Sequence, residues 1–252
     1  MRLLHAKHLD FHEFEGSRIP KYAILSHRWE EGEVTYQDML SPLGRLSDKA
    51  GLTKVRRCCF QAVRDKYDYV WIDTCCIDKT SSAELSEAIN SMFQWYKNSA
   101  MCYVYLSDVQ LKSTYKTSDA IHDASVAMQI HQSKWWTRGW TLQELIAPRD
   151  IMFFGSGSHG WLGLGDKTAL LDLIVERSGV HEEVLLGVDV QRFSIATRMS
   201  WASDRETTRP EDLAYCLLGI FGVNMALLYG EGERAFLRLQ VRSLQGYADA
   251  HR

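Results

Sequence analysis

Three short apolar runs, set apart by helix-like segments, confine this chain to a narrow set of folds. Tyr22-Ala-Ile-Leu-Ser26, Tyr69-Val-Trp-Ile-Asp73 and residues 101–106 each have the length and apolar content of a buried strand. Between the first two, Thr53 is placed to cap a helix reaching about Lys66, with Val55, Cys59, Ala62 and Val63 on its inner face. Between the second and third, the turn Asp78-Lys-Thr-Ser-Ser82 opens another helix, along which Leu85, Ile89, Met92, Phe93 and Tyr96 recur at helical spacing. Strand, helix, strand, helix, strand in that order predicts a parallel sheet with right-handed crossovers.

Polar side chains close each run, and open α/β sheets bind ligands at the carboxyl ends of their strands. Ser26, His27, Arg28 and Trp29 end the first run, Asp73 ends the second, and Ser107 with Asp108 ends the third. Each is either a ligand group or an ordinary cap of the loop that follows. A further element covers 34–40, and 41–52 is loop-like. Residues 109–133 read as a polar insertion beside the sheet, with one short helix from Asp119 to about His131. A helix over 134–147, stopped by Pro148, puts Trp140 and Glu144 one turn apart on one face while Leu142 and Leu145 turn toward a core. Taken alone, that stretch favours a core tryptophan and a solvated glutamate.

Residues 151–154 form a fourth strand, followed by a flexible loop over 155–160. The remainder is helical: 166–178, 194–202, a start at Arg209-Pro-Glu-Asp212 carrying Leu213, Leu217 and Ile220 and stopped by Gly222, and a last helix opened by Gly230-Glu-Gly-Glu233 that reaches about Leu244. The expected organisation is one domain over 1–252, with an α/β core over 1–160 and a helical portion over 161–252 packed on it.

With 252 residues, 46% of them apolar, the chain can bury a full core. Its formal charge of -3 argues against a nucleic-acid module that works by broad phosphate neutralisation. The N-terminal stretch carries Arg2, His5, Lys7, His8 and Asp10 without the apolar core of a signal peptide, and no segment has the length of a membrane span. A cytoplasmic location with six reduced cysteines is therefore expected. No C-x-x-C or H-E-x-x-H pattern occurs, and His5, His8 and His12 gather only in a terminal stretch expected to be mobile, so no metal site is expected. Gly230-Glu-Gly-Glu233 lacks the lysine of a phosphate loop and reads as a helix-opening turn. Ser26 and His27 are strand neighbours facing opposite sides, so no hydrolase triad follows from them, and His27 reads as a pocket or capping residue.

Several longer blocks carry a family resemblance. Tyr22-Ala-Ile-Leu-Ser-His-Arg-Trp29, Trp71-Ile-Asp-Thr-Cys-Cys-Ile-Asp78, Ala83-Glu-Leu-Ser-Glu-Ala-Ile-Asn90, Arg138-Gly-Trp-Thr-Leu-Gln-Glu-Leu145 and Arg205-Glu-Thr-Thr-Arg-Pro-Glu-Asp-Leu-Ala-Tyr215 resemble the successive blocks of the fungal heterokaryon incompatibility (HET) domain. The likeness runs from the first residues to Tyr229-Gly-Glu-Gly-Glu-Arg-Ala-Phe236, with Ala226 where the family usually has proline. It implies a role in nonself recognition and regulated cell death, as the toxic effector of a larger protein. It also implies a distant kinship with Toll/interleukin-1 receptor (TIR) domains and their flavodoxin-like parallel sheet flanked by helices.

The residue order agrees with that kinship through Ser26-His-Arg28, Trp71-Ile-Asp73, Leu85-Ser-Glu-Ala-Ile89, Ser107 and the block at 138–145, where Thr141 replaces the usual cysteine. In enzymatic TIR domains the glutamate of the last block cleaves the nicotinamide–ribose bond of NAD+, and the resemblance assigns that role to Glu144. It leaves Ser26, His27, Arg28, Trp29, Asp73, Ser107 and Trp140 as substrate-binding candidates, with Trp29 or Trp140 stacking on a ring and Arg28 meeting the pyrophosphate. Nicotinamide leaves as a neutral base, so one carboxylate suffices where ordinary glycosidases need two. NAD+ or a related nucleotide is then substrate rather than cofactor, and self-association and a partner incompatibility protein are the expected interactions. The alternative is a noncatalytic TIR-like module that signals by self-association.

Overall fold

The computed structural model describes residues 1–41, 49–112, 123–158 and 160–250. The chain divides into two compact units, each assembled from separated stretches. The first comprises Met1–Leu85, Ser99–Ser133 and Asp150–Ala169, and the second Ser86–Asn98, Lys134–Arg149 and Leu170–Arg252.

The first unit is built on a seven-stranded mixed sheet. Its strands are β1 (Arg2–His5), β2 (Phe11–Glu13), β3 (Tyr22–His27), β4 (Tyr69–Trp71), β5 (Met101–Leu111), β6 (Ile151–Gly157) and β7 (Gly160–Asp166), in the spatial order β2-β1-β4-β3-β5-β6-β7. The strands expected from the apolar runs, β4, β3, β5 and β6, run parallel to one another. Every residue of β3 is buried, which is why it reads as an unbroken apolar run rather than an alternating one. Counted in chain order the four parallel strands lie 2-1-3-4, and the direction of winding reverses between β3 and β5.

Three expectations for these strands change. The N-terminal stretch is paired into the sheet as β1 and β2, with Leu3 and Leu4 fully buried. The third apolar run does not end at Ser107-Asp108. Instead β5 continues to Leu111 across a register shift between Leu106 and Gln110, so both residues lie at an irregularity inside the strand. The expected loop over 155–160 belongs to a β6–β7 hairpin in which Gly157 pairs with Gly160. Gly160 has φ 128°, a backbone conformation that favours glycine over any L side chain. His159 lies outside the described residues.

The helices of this unit are α1 (Tyr36–Leu40), α2 (Ala50–Arg64), α3 (Asp73–Cys76), the first turn of α4 (Ser82–Asn98), and α5 (Ala124–Gln132). Thr35 and Asp38 form a capping box on α1. Helix α2 starts ahead of Thr53, which is an exposed residue within it. Gly51 lets the first turn close on the Gly32 to Val34 backbone, where a Cβ would come within 2.8 Å of Glu33 Cα. Its inner face carries the expected Val55, Cys59 and Ala62, joined by Leu52 and Cys58, while Val63 is only half-buried. Asp123 caps α5 through Ser125 N; the expected start at Asp119 falls outside the described residues.

The second unit holds the rest of α4, then α6 (Thr141–Ile146), α7 (Leu171–Ser178), α8 (Glu182–Leu185), α9 (Ile195–Ser200), α10 (Asp212–Tyr215), α11 (Leu218–Phe221) and α12 (Arg234–Ala250). Its core includes Trp135 and Trp136, packed edge to face at 4.8 Å, with Leu142, Leu145, Ile174 and Tyr215. The helix expected over 134–147 shrinks to α6 because the preceding residues pair instead with Glu206. Gly139 N donates to Glu206 O at 2.8 Å and Glu206 N to Thr137 O at 2.6 Å. The helix expected from Asp166 begins only at Leu171, since Asp166 ends β7. Ser194 caps α9, and Gly222, with φ 67°, terminates α11.

Candidate functional site

In the first unit the polar residues closing β3 and β4 form one hydrogen-bonded cluster. His27, the last residue of β3, is 3% exposed and shares a hydrogen bond with Asp73 at 3.0 Å, from Nε2 to Oδ1. Trp29 Nε1 donates to the other oxygen of the same carboxylate at 2.7 Å. The Trp29 indole is 41% exposed, and the Lys79 ammonium lies 3.6 Å from its ring centroid, a cation–π contact. His27 Nδ1 is buried and has no hydrogen-bond partner among the described residues. Asp73 opens α3, which follows β4 directly, so the parallel pairing of β3 with β4 brings the two polar ends to the same edge.

The loop after β3 is pinned by a buried cation. Lys54 Nζ donates to Arg28 O at 3.2 Å and pairs with Glu33, and Glu30 Oε1 accepts from Ser107 Oγ at 2.7 Å. Ser107 is thus tied to the β3 loop, as the parallel β3–β5 pairing allows. Arg28 extends into solvent, whereas Ser26 is fully buried within the sheet. Sequence reasoning named His27, Arg28, Trp29, Asp73 and Ser107 and missed Lys79, Lys54 and Glu30. The lysine of Asp78-Lys-Thr-Ser-Ser82 reads only as part of a turn, and a lysine inside an amphipathic helix gives no sign that its amine reaches back to a loop.

The second unit contains Trp140 and Glu144. Glu144 is 5% exposed on α6, between fully buried Leu142 and Leu145 and beside Gln143, whose Nε2 is buried without a partner among the described residues. It is not the solvated glutamate that the octapeptide alone favours. Its electrostatic environment includes Arg205, a 6% exposed guanidinium that donates to Arg138 O and to Thr141 Oγ1, both at 2.9 Å. Burial draws the Arg205 pKa down to about 10, with Cys216 and Glu144 among the groups opposing that shift. Trp140 is half-buried and hydrogen-bonds Asp212, which also accepts from Tyr229 at 3.0 Å. Desolvation raises the Asp212 pKa against those two bonds.

Among the described residues no group of three or more His, Cys, Asp and Glu side chains could hold a metal ion, and no helix is long and apolar enough to cross a membrane. All six cysteines are buried free thiols. The turn at Gly230-Glu-Gly-Glu233 does bind an anion, but an internal one: Gly230 N and Gly232 N both donate to Glu211 Oε1, at 2.8 and 3.0 Å.

Comparisons with known proteins agree with the family resemblance read from the sequence. The family model described as heterokaryon incompatibility protein (HET) matches residues 22–129, which include the β3, β4 and β5 strand ends. Vegetative incompatibility protein HET-E-1 of Podospora anserina is 48% identical over 231 residues, covering 90% of this chain. The chain spans 16% of the length of that relative. No solved structure matches it. On these matches, the chain belongs to the heterokaryon incompatibility (HET) family.

Proposed function

We propose that this chain is the effector domain of an incompatibility protein, bringing about cell death after nonself recognition by cleaving the nicotinamide–ribose bond of NAD+ or a related nucleotide. The HET domain is taken to run across 1–252, its sheet following the TIR-like, flavodoxin-like plan. The observation that carries the nucleotide reading is the His27–Asp73–Trp29–Lys79 cluster at the carboxyl ends of parallel strands, beside the point where the winding of the sheet reverses. It offers an aromatic face, a carboxylate and cations, the groups that a nucleoside phosphate engages.

The catalytic role falls to Glu144 through the TIR resemblance. Its 5% exposure and its electrostatic interaction with the Arg205 guanidinium support a carboxyl group in a water-poor setting, where charge acts most strongly on an oxocarbenium-like ribose. Incubating the purified chain with NAD+ and following nicotinamide by chromatography tests this. Glu144→Gln is expected to lower the rate by about a hundredfold or more while leaving the circular dichroism spectrum intact. Equal rates for the two proteins would remove Glu144 from the mechanism.

A second reading, a noncatalytic module that signals by association with itself or with a partner incompatibility protein, draws on α12. Leu237, Val241 and Leu244 recur on one face of this helix and are each more than half exposed, while Ala235 and Leu239 are buried. On that reading Leu237→Lys with Val241→Lys abolishes concentration-dependent sedimentation, and the wild type shows it. A wild type that stays monomeric at tens of micromolar would count against it.

A further inference from the structure

The two N–H donors on Asp73 point to a specific ligand group. We infer that Asp73 recognises the vicinal hydroxyls of a ribose, and that His27 is the positioning residue that sets its carboxylate for the task. Oδ1 is held by His27 Nε2 at 3.0 Å and Oδ2 by Trp29 Nε1 at 2.7 Å, so the group acts as an acceptor in a fixed orientation. Its side chain is 16% exposed, so part of the carboxylate reaches solvent. A carboxylate repels phosphate and accepts from sugar hydroxyls, the division of labour that an acidic residue performs at the strand ends of dinucleotide-binding sheets. The phosphate would then meet the cations of the same cluster, Lys79 over the Trp29 ring and the exposed Arg28.

The state of His27 is the second observation. The ring is almost fully buried, gives Nε2 to Asp73, and leaves Nδ1 buried with no partner among the described residues. Burying an unsatisfied ring nitrogen costs stability, and capping a loop does not require it. What the arrangement achieves is a rigid N–H aimed at one carboxylate oxygen. His27 touches no ligand in this account; it acts through Asp73.

This inference rests on the nucleotide reading above and not on bond cleavage, so it is tested with a ligand that has no nicotinamide to lose. Calorimetric titration of the purified chain with ADP-ribose, and with an analogue lacking the 2′ and 3′ hydroxyls of both sugars, measures the contact directly. Asp73→Asn is expected to weaken ADP-ribose binding roughly ten- to a hundredfold. The hydroxyl-free analogue should bind the wild type with a similar loss and be insensitive to Asp73→Asn. His27→Leu should weaken ADP-ribose binding, and His27→Gln, which restores an N–H donor, should recover most of it. Wild-type affinity in Asp73→Asn, equal binding of the two ligands by the wild type, or no binding of ADP-ribose by the wild type would each overturn the inference. The ligand comparison needs no variant, so a misfolded mutant does not blunt it. Binding without nicotinamide release would refute cleavage and leave the hydroxyl contact standing; release that ignores Asp73 would do the reverse.

Discussion

Asp73 and Glu144 are both carboxylates marked by the sequence, yet their surroundings differ. Asp73 is held through two N–H donors at a partly open strand end, and Glu144 lies within the second unit near a desolvated guanidinium. The strand-end pattern marked Asp73 and the family resemblance marked Glu144, but neither could show the burial of Glu144 or the approach of Lys79 to Trp29, since each depends on residues remote in sequence. The thiols give a sharper test at this scale. Burial, as the largest cause, pushes Cys59 and Cys216 up to about 12 from an ordinary 9.0. In the unfolded chain these thiols release protons once the pH passes 9, while in the folded chain they hold them. Their stabilising contribution is therefore intact below pH 9 and is lost as the pH climbs toward 12, at up to about 1.4 kcal/mol per pH unit for each group. Urea unfolding between pH 8 and 10 should show the decline, and Cys216→Ala should make it shallower. An unchanged slope in the variant would mean that Cys216 ionises in the folded chain as readily as in the unfolded one.

Elements were legible where one local pattern decided them. The runs that became β3, β4, β5 and β6 are apolar because parallel strands are covered on both faces, and the apolar spacing of α4 follows from one buried stripe. What was missed depends on partners. In β7, Gly163 and Gly165 replace the side chains whose alternation would announce a strand, and β6 supplies the pairing. The helix before α6 gave way because Gly139 and Glu206 pair across a long sequence separation. A close approach also joins α11 to α4 within the second unit: a Cβ on Gly219 would lie 2.0 Å from Phe93 Cβ. Neither atom is the far end of a flexible side chain, so Gly219→Ala is expected to destabilise the protein by about 2 to 3 kcal/mol. The urea midpoint measures this, and a shift within error would show that the two helices separate at little cost.

At the scale of the molecule, strand and helix alternation led to the parallel order now seen in β4-β3-β5-β6. Its two units were less accessible, because both are assembled from noncontiguous stretches and α4 contributes residues to each. Family membership came from several ordered blocks rather than any one motif, and 48% identity to an incompatibility protein supports the same conclusion. On the function proposed above, this domain kills by consuming NAD+. Yeast cells expressing the wild type or Glu144→Gln at equal levels, with intracellular NAD+ and viability followed together, test it most directly. NAD+ is expected to fall before viability does with the wild type, and both are expected to be preserved with Glu144→Gln. Death with undiminished NAD+, in either strain, would contradict it.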